Sequence, residues 1–223
     1  MRKRLWYPLG AFALAVLVIG AGIAHAAEFK AGKYPATVTG IQGGPKAPPP
    51  EGDTGSTWVM GFENSLMLSC LEGKFQGKLE SPAANLSTAV SLSGCTFYKF
   101  AATVTMNGCE LDFNAGAGSE DEYTGSLGIA CPGESKILVA VNIPFLAVCE
   151  VEIGSQSGGG SISYVNLTEE SPTGFTAGFE THSLAYTKTK STGLCPLAGT
   201  GSKTDGVIVG GATFTSGNGI WIE

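Results

Sequence analysis

The chain has 223 residues, a net charge of −6, 33 glycines and two histidines. Arg2 and Arg4 are its only arginines, so lysine is the only strong cation elsewhere. Phosphate recognition needs clustered cations, and arginine supplies the bidentate contact. Composition and charge therefore argue against nucleic acid as a partner, and they disfavour docking on anionic lipid.

The first 26 residues have the pattern of a secretory signal peptide. Arg2–Arg4 is basic, Leu9–Ile23 is apolar, and Ala24-His25-Ala26 is a small-residue cleavage site. We expect residues 1–26 to be removed and residues 27–223 to be secreted as one domain, without membrane insertion. The ten lysines and nineteen acidic residues that remain give this mature part a net charge of −9. The alternative is a retained anchor, although the apolar run is short for a membrane span.

Segment 43–56 is rich in glycine and proline and is predicted to be neither helix nor strand. Such a composition is typical of a solvated loop or linker. The alternative is a polyproline ligand for a partner, which only the three consecutive residues Pro48, Pro49 and Pro50 support.

The rest of the mature chain predicts an all-β fold. Short runs of β-branched and aromatic residues alternate with Gly, Pro, Asn and Ser, and no window keeps a helical period. We expect a disulfide-braced antiparallel β-sandwich. The expected strands are Tyr34–Gln42, Thr57–Cys70 (one bent strand or two), Ser135–Ile143, Ala147–Ile153, Gly160–Leu167, Gly174–Thr187 and Ile220–Ile222.

Two hairpins are predicted from their turn residues. Asn107-Gly108 favours a type I′ turn, because both central residues need a positive φ. That turn fixes a register with one apolar face. Its predicted cross-strand pairs are Met106 with Cys109, Val104 with Leu111 and Ala102 with Phe113. Thr204–Val207 predicts the second hairpin.

All six cysteines follow the predicted signal peptide, and an even number in an exported chain predicts disulfides with no free thiol. Several continue an apolar alternation that places them on the buried face of a strand. These runs are Leu66-x-Leu68-x-Cys70, Leu127-x-Ile129-x-Cys131 and Cys149-x-Val151-x-Ile153. A meander of adjacent strands suits sequential pairing, which is Cys70–Cys95, Cys109–Cys131 and Cys149–Cys195.

No catalytic residue, cofactor or metal site is predicted. His182 is the single histidine of the mature chain, and the sequence does not show a carboxylate that would orient it. Gly154–Gly158 misses the nucleophile elbow, because Gln156 stands where the serine belongs. No two cysteines have the close spacing of a zinc site.

Two groups of acidic residues are candidate sites. The run Ser119–Tyr123 contains Glu120, Asp121 and Glu122 and has either the role of a calcium loop or that of a solvated turn. The absence of an alternating Asp pattern favours the turn. Glu150 and Glu152 share one face of a strand, and paired carboxylates can hydrolyse glycosides, but a solvated surface is the favoured interpretation.

Trp58 and Trp221 are the tryptophans of the mature chain. An exposed indole can stack on a sugar, whereas a tryptophan on a strand more often belongs to the core. Both are therefore candidates for ligand stacking, with core packing as the alternative.

Five segments around the cysteines are distinctive: Ser93–Thr96, Ala102–Cys109, Cys149–Gln156, Leu194–Pro196 and Gly199–Thr204. Together they resemble a group of uncharacterised secreted proteins that we associate with soil actinobacteria. The resemblance implies an exported bacterial β-domain, and it transfers no functional residue.

We therefore expect a secreted, non-catalytic β-domain with a binding or structural role at the bacterial cell exterior. A cell-envelope glycan and another exported protein are the candidate partners. The alternative is a secreted hydrolase acting on polysaccharide or peptide, which needs a convergent polar site that one histidine and no arginine make hard to build.

Overall fold

The computed structural model describes residues 27–43, 58–63, 66–97, 100–119, 121–143, 147–169, 171–193, 195, 197 and 199–223. Within these ranges the regular secondary structure consists of sixteen β-strands and no helix, and their pairing is antiparallel throughout. The same residues contain no helix that is long and apolar enough to cross a membrane. The predicted signal peptide and nearly all of segment 43–56 lie outside the described residues.

In the described ranges, sixteen strands follow one another along the chain. They are β1 Phe29–Ala31, β2 Ala36–Gln42, β3 Trp58–Phe62, β4 Leu66–Cys70, β5 Glu72–Leu79, β6 Asn85–Ser93, β7 Thr96–Phe97, β8 Phe100–Thr105, β9 Glu110–Ser119, β10 Glu122–Ala130, β11 Ile137–Ile143, β12 Ala147–Ile153, β13 Gly160–Glu169, β14 Ser171–Gly193, β15 Gly201–Ser216 and β16 Ile220–Ile222. Alternation of apolar and polar residues explains most of them, as in β12, where every second side chain is buried.

The strands close into two rings that share a ribbon. Ring A has the order β2-β5-β6-β9-β10-β13-β14-β15, and β15 pairs again with β2. Ring B has the order β3-β4-β7-β8-β11-β12-β14-β15, and β15 pairs again with β3. The shared ribbon consists of β14, with 23 residues, and β15, with 16 residues. The strands of ring A, β13 and β2, pair with one part of the ribbon, and the strands of ring B, β12 and β3, pair with another part.

The other strands alternate between the rings in pairs, so the chain crosses from one ring to the other six times. Five of these crossings consist of described residues, at 71, 94–95, 106–109, 131–136 and 154–159, and we call their level the waist. At the waist the regular ladders give way to isolated backbone hydrogen bonds, such as those between Ile129 and Gln156, and to a covalent link.

Disulfides supply that link at two places. Cys70–Cys95 and Cys109–Cys131 join neighbouring crossings, with Cα–Cα distances of 3.9 and 4.0 Å. The third bond, Cys149–Cys195, ties β12 to the chain that follows β14, and no cysteine is free. The structure thus confirms the all-β class, the disulfide bracing and the sequential pairing. Apart from the β1–β16 pair, the strands form one closed circuit that the β14–β15 pairing divides into the two rings, so the sandwich is not confirmed.

The prediction of a hairpin at Asn107-Gly108 is confirmed for the turn and wrong for the strand pairing. Both residues have the expected positive φ, 51° and 78°, and the Cys109 N–H donates to the Met106 carbonyl at 2.8 Å. The strands that leave the turn, however, do not pair: β8 lies between β7 and β11, and β9 lies between β6 and β10. The predicted pairs of Val104 with Leu111 and Ala102 with Phe113 are therefore wrong. Ring neighbours already occupy both edges of each strand.

The second predicted hairpin, Thr204–Val207, is also wrong. These residues continue β15, and Gly206 pairs with Leu184 at a register shift in β14. A Cβ atom on Gly206 would lie 2.8 Å from the Leu184 carbonyl oxygen. The glycine serves a close approach of two strands rather than a turn.

The interior of the rings is filled by side chains. Aromatic rings contact one another from Phe29 at the end of ring A to Trp58 at the waist, with centroid separations of 5.0 to 6.2 Å along the way. The intermediate members of this column are Tyr164, Phe175, Phe214, Phe75, Phe113 and Phe179. Gly40 faces the same column, where a Cβ atom would lie 2.7 Å from the Phe214 ring.

Strands β1 and β16 form a small antiparallel sheet that closes the far end of ring A, and we call it the plug. Phe29, Ile220 and Ile222 point inward and are fully buried. The Asn166 amide donates to the Ile222 carbonyl at 2.8 Å and accepts from the Ile222 N–H at 2.9 Å. This clamp satisfies the outer edge of β16 and fixes the plug in the ring.

Candidate functional site

Shallow hollows mark the outer surface of the waist where β9 to β12 cross between the rings. One hollow, of about 490 Å³, is lined by Asp112, Asn114, Gly128 and residues 155–157 of the 154–159 crossing. It shares Ser155 with a second hollow of about 380 Å³, which contains Glu134 and Lys136. These open hollows present hydroxyls, amides and carboxylates without an aromatic ring in their lining.

Much of the polar chemistry at the waist is used within the protein. The Ser87 hydroxyl donates to Asp112, and the Asn85 amide donates to Asn114 at 3.0 Å. The Gln156 amide exchanges two hydrogen bonds, of 3.0 and 2.9 Å, with the backbone of Ala185. Gln156 therefore pins a crossing to β14, which explains its place in the sequence without any catalytic role.

His182 does have a carboxylate partner that the sequence could not show. Its Nε2 lies 3.1 Å from Glu180, two residues earlier on β14. The two side chains are 71% and 56% exposed. Among the described residues no hydroxyl hydrogen-bonds to this imidazole, so the pair lacks the nucleophile that a catalytic triad requires.

The carboxylates of Glu150 and Glu152 do not form a joint site. Glu150 lies 3.3 Å from Lys190, and Glu152 lies 2.7 Å from Lys136, so each forms an ion pair with its own lysine. Within the described part of the chain no three His, Cys, Asp or Glu residues are arranged to hold a metal ion. Glu120 of the acidic run lies outside the described residues.

A polar cluster inside ring B was missed by the sequence analysis. The Lys188 side chain is only 4% exposed, and its Nζ lies 2.5 Å from the Glu63 carboxylate. Lys203 approaches the same carboxylate at 3.9 Å. The Tyr186 hydroxyl donates to Asp205 at 2.9 Å, and burial together with this bond raises the pKa of Tyr186. Alternation with Leu184 and Tyr186 was the available signal that Lys188 points inward.

Trp58 is not a ligand-stacking residue. Its side chain is 1% exposed and packs against Phe75 and Phe179, with ring centroids 5.9 and 5.1 Å away. Because β3 turns this position toward the aromatic column, the core interpretation is correct and the stacking interpretation is wrong.

Trp221 occupies the opposite environment. It is partly exposed and lies on the solvent side of the plug, between the inward-facing Ile220 and Ile222. Its indole N–H donates to Glu223 at 3.2 Å, and Lys30 lies directly across the ladder and 3.7 Å from Glu223. Glu28 is paired with Glu223 by two backbone hydrogen bonds of 2.8 and 3.0 Å. We call Glu28, Lys30, Trp221 and Glu223 the outer plug face.

No protein-family model, curated protein or solved structure matches this chain.

The outer plug face brings a partly exposed aromatic ring together with charges of both signs. Tyr123 lies nearby, where burial and then the charges of Glu223 and Asp121 raise its pKa. The candidate site therefore combines one indole, one ammonium group and several carboxylates. Such a set can hold a ligand by stacking and by charge.

Proposed function

We propose that this protein is secreted after removal of residues 1–26 and has a non-catalytic binding or structural role at the bacterial cell exterior. Its three disulfides support this location, because such bonds form and persist in oxidising compartments. The acidic balance of the mature chain favours a soluble surface over contact with anionic polymers.

One observation carries the binding role. The interior of both rings is filled with buried side chains, so the groups that can meet a partner lie on the outside. Among the described residues on the outside, Trp221 is a partly exposed aromatic ring with charged neighbours, and it keeps the stacking role in the proposal. A cell-envelope glycan is the partner class that suits such a surface.

The test is capture of isolated cell-envelope glycan by a tagged protein comprising residues 27–223. We expect capture that falls strongly in Trp221→Ala. Trp6 is not part of that protein, so Trp58 is the matched tryptophan, and the conservative Trp58→Phe is the control that keeps capture. Failure of the intact protein to retain any envelope glycan would refute the binding role.

The Glu180–His182 pair is the observation that favours the alternative, a secreted hydrolase. Turnover of a polysaccharide or peptide that disappears in His182→Gln, with unchanged stability, would establish that alternative. We expect no such turnover, because the pair is open to solvent and lacks a hydrogen-bonded nucleophile among the described residues.

A further inference from the structure

We propose that the outer plug face binds the ammonium group of an amino sugar, so that the glycan partner is one with free amines. This inference rests on the proposed binding function and names the chemistry of its ligand. It is carried by the arrangement of Glu28, Lys30, Trp221 and Glu223 on one exposed face of a two-stranded ladder.

The ladder sets this arrangement. Lys30 and Trp221 are direct cross-strand partners, and so are Glu28 and Glu223. Since Phe29 and Ile222 point into ring A, their neighbours on both strands have to point outward. The carboxylates of Glu28 and Glu223 therefore lie on the same face of the plug as the Trp221 indole. Glu223 is two residues beyond Trp221 on one strand, and Glu28 lies opposite Glu223 on the other.

The charges on this face are not balanced. Like charges directly opposite each other destabilise an antiparallel pair. Lys30 lies 3.7 Å from Glu223, which compensates one of the two carboxylates. Among the described residues the carboxylate of Glu28 has neither a hydrogen bond nor an ion pair. A second cation on this face would therefore be favourable, and we infer that the ligand supplies it.

The indole specifies where that cation belongs. An ammonium group over the face of a tryptophan is attracted by the ring, and tryptophan is the best side chain for this contact. The Glu223 carboxylate accepts the indole N–H at 3.2 Å, which fixes the orientation of the ring. An amino sugar supplies both an ammonium group for the carboxylates and a ring face for stacking, whereas an acetylated sugar supplies only the ring face.

A peptide is the less suitable partner for this face. Extended peptides commonly bind by adding a strand to a free sheet edge. The outer edge of β16 is taken by the Asn166 side chain, and Phe29 of β1 forms a bridge with Ala83. A ligand that rests on the face of the plug, rather than along its edge, fits what the strands leave open.

The experiment compares a glucosamine oligomer with its fully N-acetylated counterpart of equal length, by calorimetry and by quenching of tryptophan fluorescence. We expect the free-amine oligomer to bind about tenfold more tightly or better. Glu28→Gln should weaken its binding by about tenfold, and Trp221→Phe should weaken it and abolish the fluorescence change. Lys30→Gln should strengthen binding, because it removes the internal competitor for Glu223.

Glu134→Gln, which neutralises a carboxylate at the waist, is the matched control and should change nothing. Equal affinity for both oligomers, or a change of the same sign in Glu28→Gln and Lys30→Gln, would overturn the inference. Tighter binding of a lysine-rich peptide than of the oligomer would also overturn it. In each case envelope capture by the intact protein would still stand as a separate result, so the proposed function is judged by its own assay.

Discussion

Removing the ammonium of Lys188 tests the buried charge cluster of ring B. Lys188→Met keeps a long unbranched side chain and leaves Glu63 without its closest partner, which lies 2.5 Å away. Loss of one member of a buried ion pair costs about 3–5 kcal/mol. Glu63 is 22% exposed and Lys203 remains 3.9 Å from it, so we expect the lower end, about 3 kcal/mol.

The reverse change should cost a similar amount. Glu63→Gln removes the carboxylate nearest the Lys188 ammonium, whose side chain is 4% exposed, and we expect a loss of about 3 kcal/mol. The double variant, Lys188→Met with Glu63→Gln, removes both charges, so neither remains buried without its partner. Its loss should therefore stay near that of one single variant, which makes the interaction energy at least about 2 kcal/mol.

The assay is urea unfolding with the disulfides intact, followed by circular dichroism and by tryptophan fluorescence. Lys190→Met is the matched control on the same strand, because the ion pair of Lys190 with Glu150 is more open to solvent. The Lys190 side chain is 51% exposed and that of Glu150 is 30% exposed. We expect a change below about 1 kcal/mol for the control. Additivity of the two single variants within about 0.5 kcal/mol would refute the buried-pair reasoning.

Three further predictions concern other parts of the fold. Trp58→Ala should lower the free energy of unfolding by about 3–5 kcal/mol in the urea assay, and normal stability with lost glycan capture would contradict its place in the core. Asn166→Ala should cost about 2–4 kcal/mol, since it leaves two backbone groups of Ile222 unpaired, and amide exchange of Ile222 should accelerate. Burial raises the pKa of Tyr164 and Tyr186, so the unfolded state gains more from phenol ionisation and stability should fall as the pH rises above about 10. Spectrophotometric titration checks this, and ionisation of both phenols near pH 10 in an intact fold would disprove it.

Local pattern was enough to predict much of the architecture. Alternation placed Cys149, Val151 and Ile153 on one buried face, and the structure buries all three. The sequential disulfides are confirmed, but the simple meander behind them is not, because strands on either side of a crossing do not pair and two of the three bonds join crossings instead. The positive φ values at Asn107 and Gly108 followed from the residue types alone.

What failed depends on contacts between distant parts of the chain. The turn at Asn107-Gly108 has the shape of a hairpin tip, but ring closure gives its two strands other neighbours. β14 was expected to end at Thr187 and instead continues to Gly193, because β12 takes over from β13 as its partner. No local signal announces such a change of partner.

The candidate site was partly predictable for the same reason. Trp221 was identified from its residue type, but Glu28 and Lys30 reach it only because residues near opposite ends of the chain pair in the plug. Trp58 had the same residue type and the opposite environment. Aromatic identity alone does not separate a ring on the surface from one in the core.

The pairing of β15 with β2 has a consequence for the way the chain matures. Strand β2, Ala36–Gln42, pairs with β15, Gly201–Ser216. The ribosome synthesises β2 long before β15. Until β15 arrives, β2 keeps one unpaired edge, and β3 waits for the same strand. Such edges are where unfinished β proteins associate with each other. The newly made chain is therefore most vulnerable during the interval before its last strands appear, and the closed circuit ends that vulnerability in a single late step.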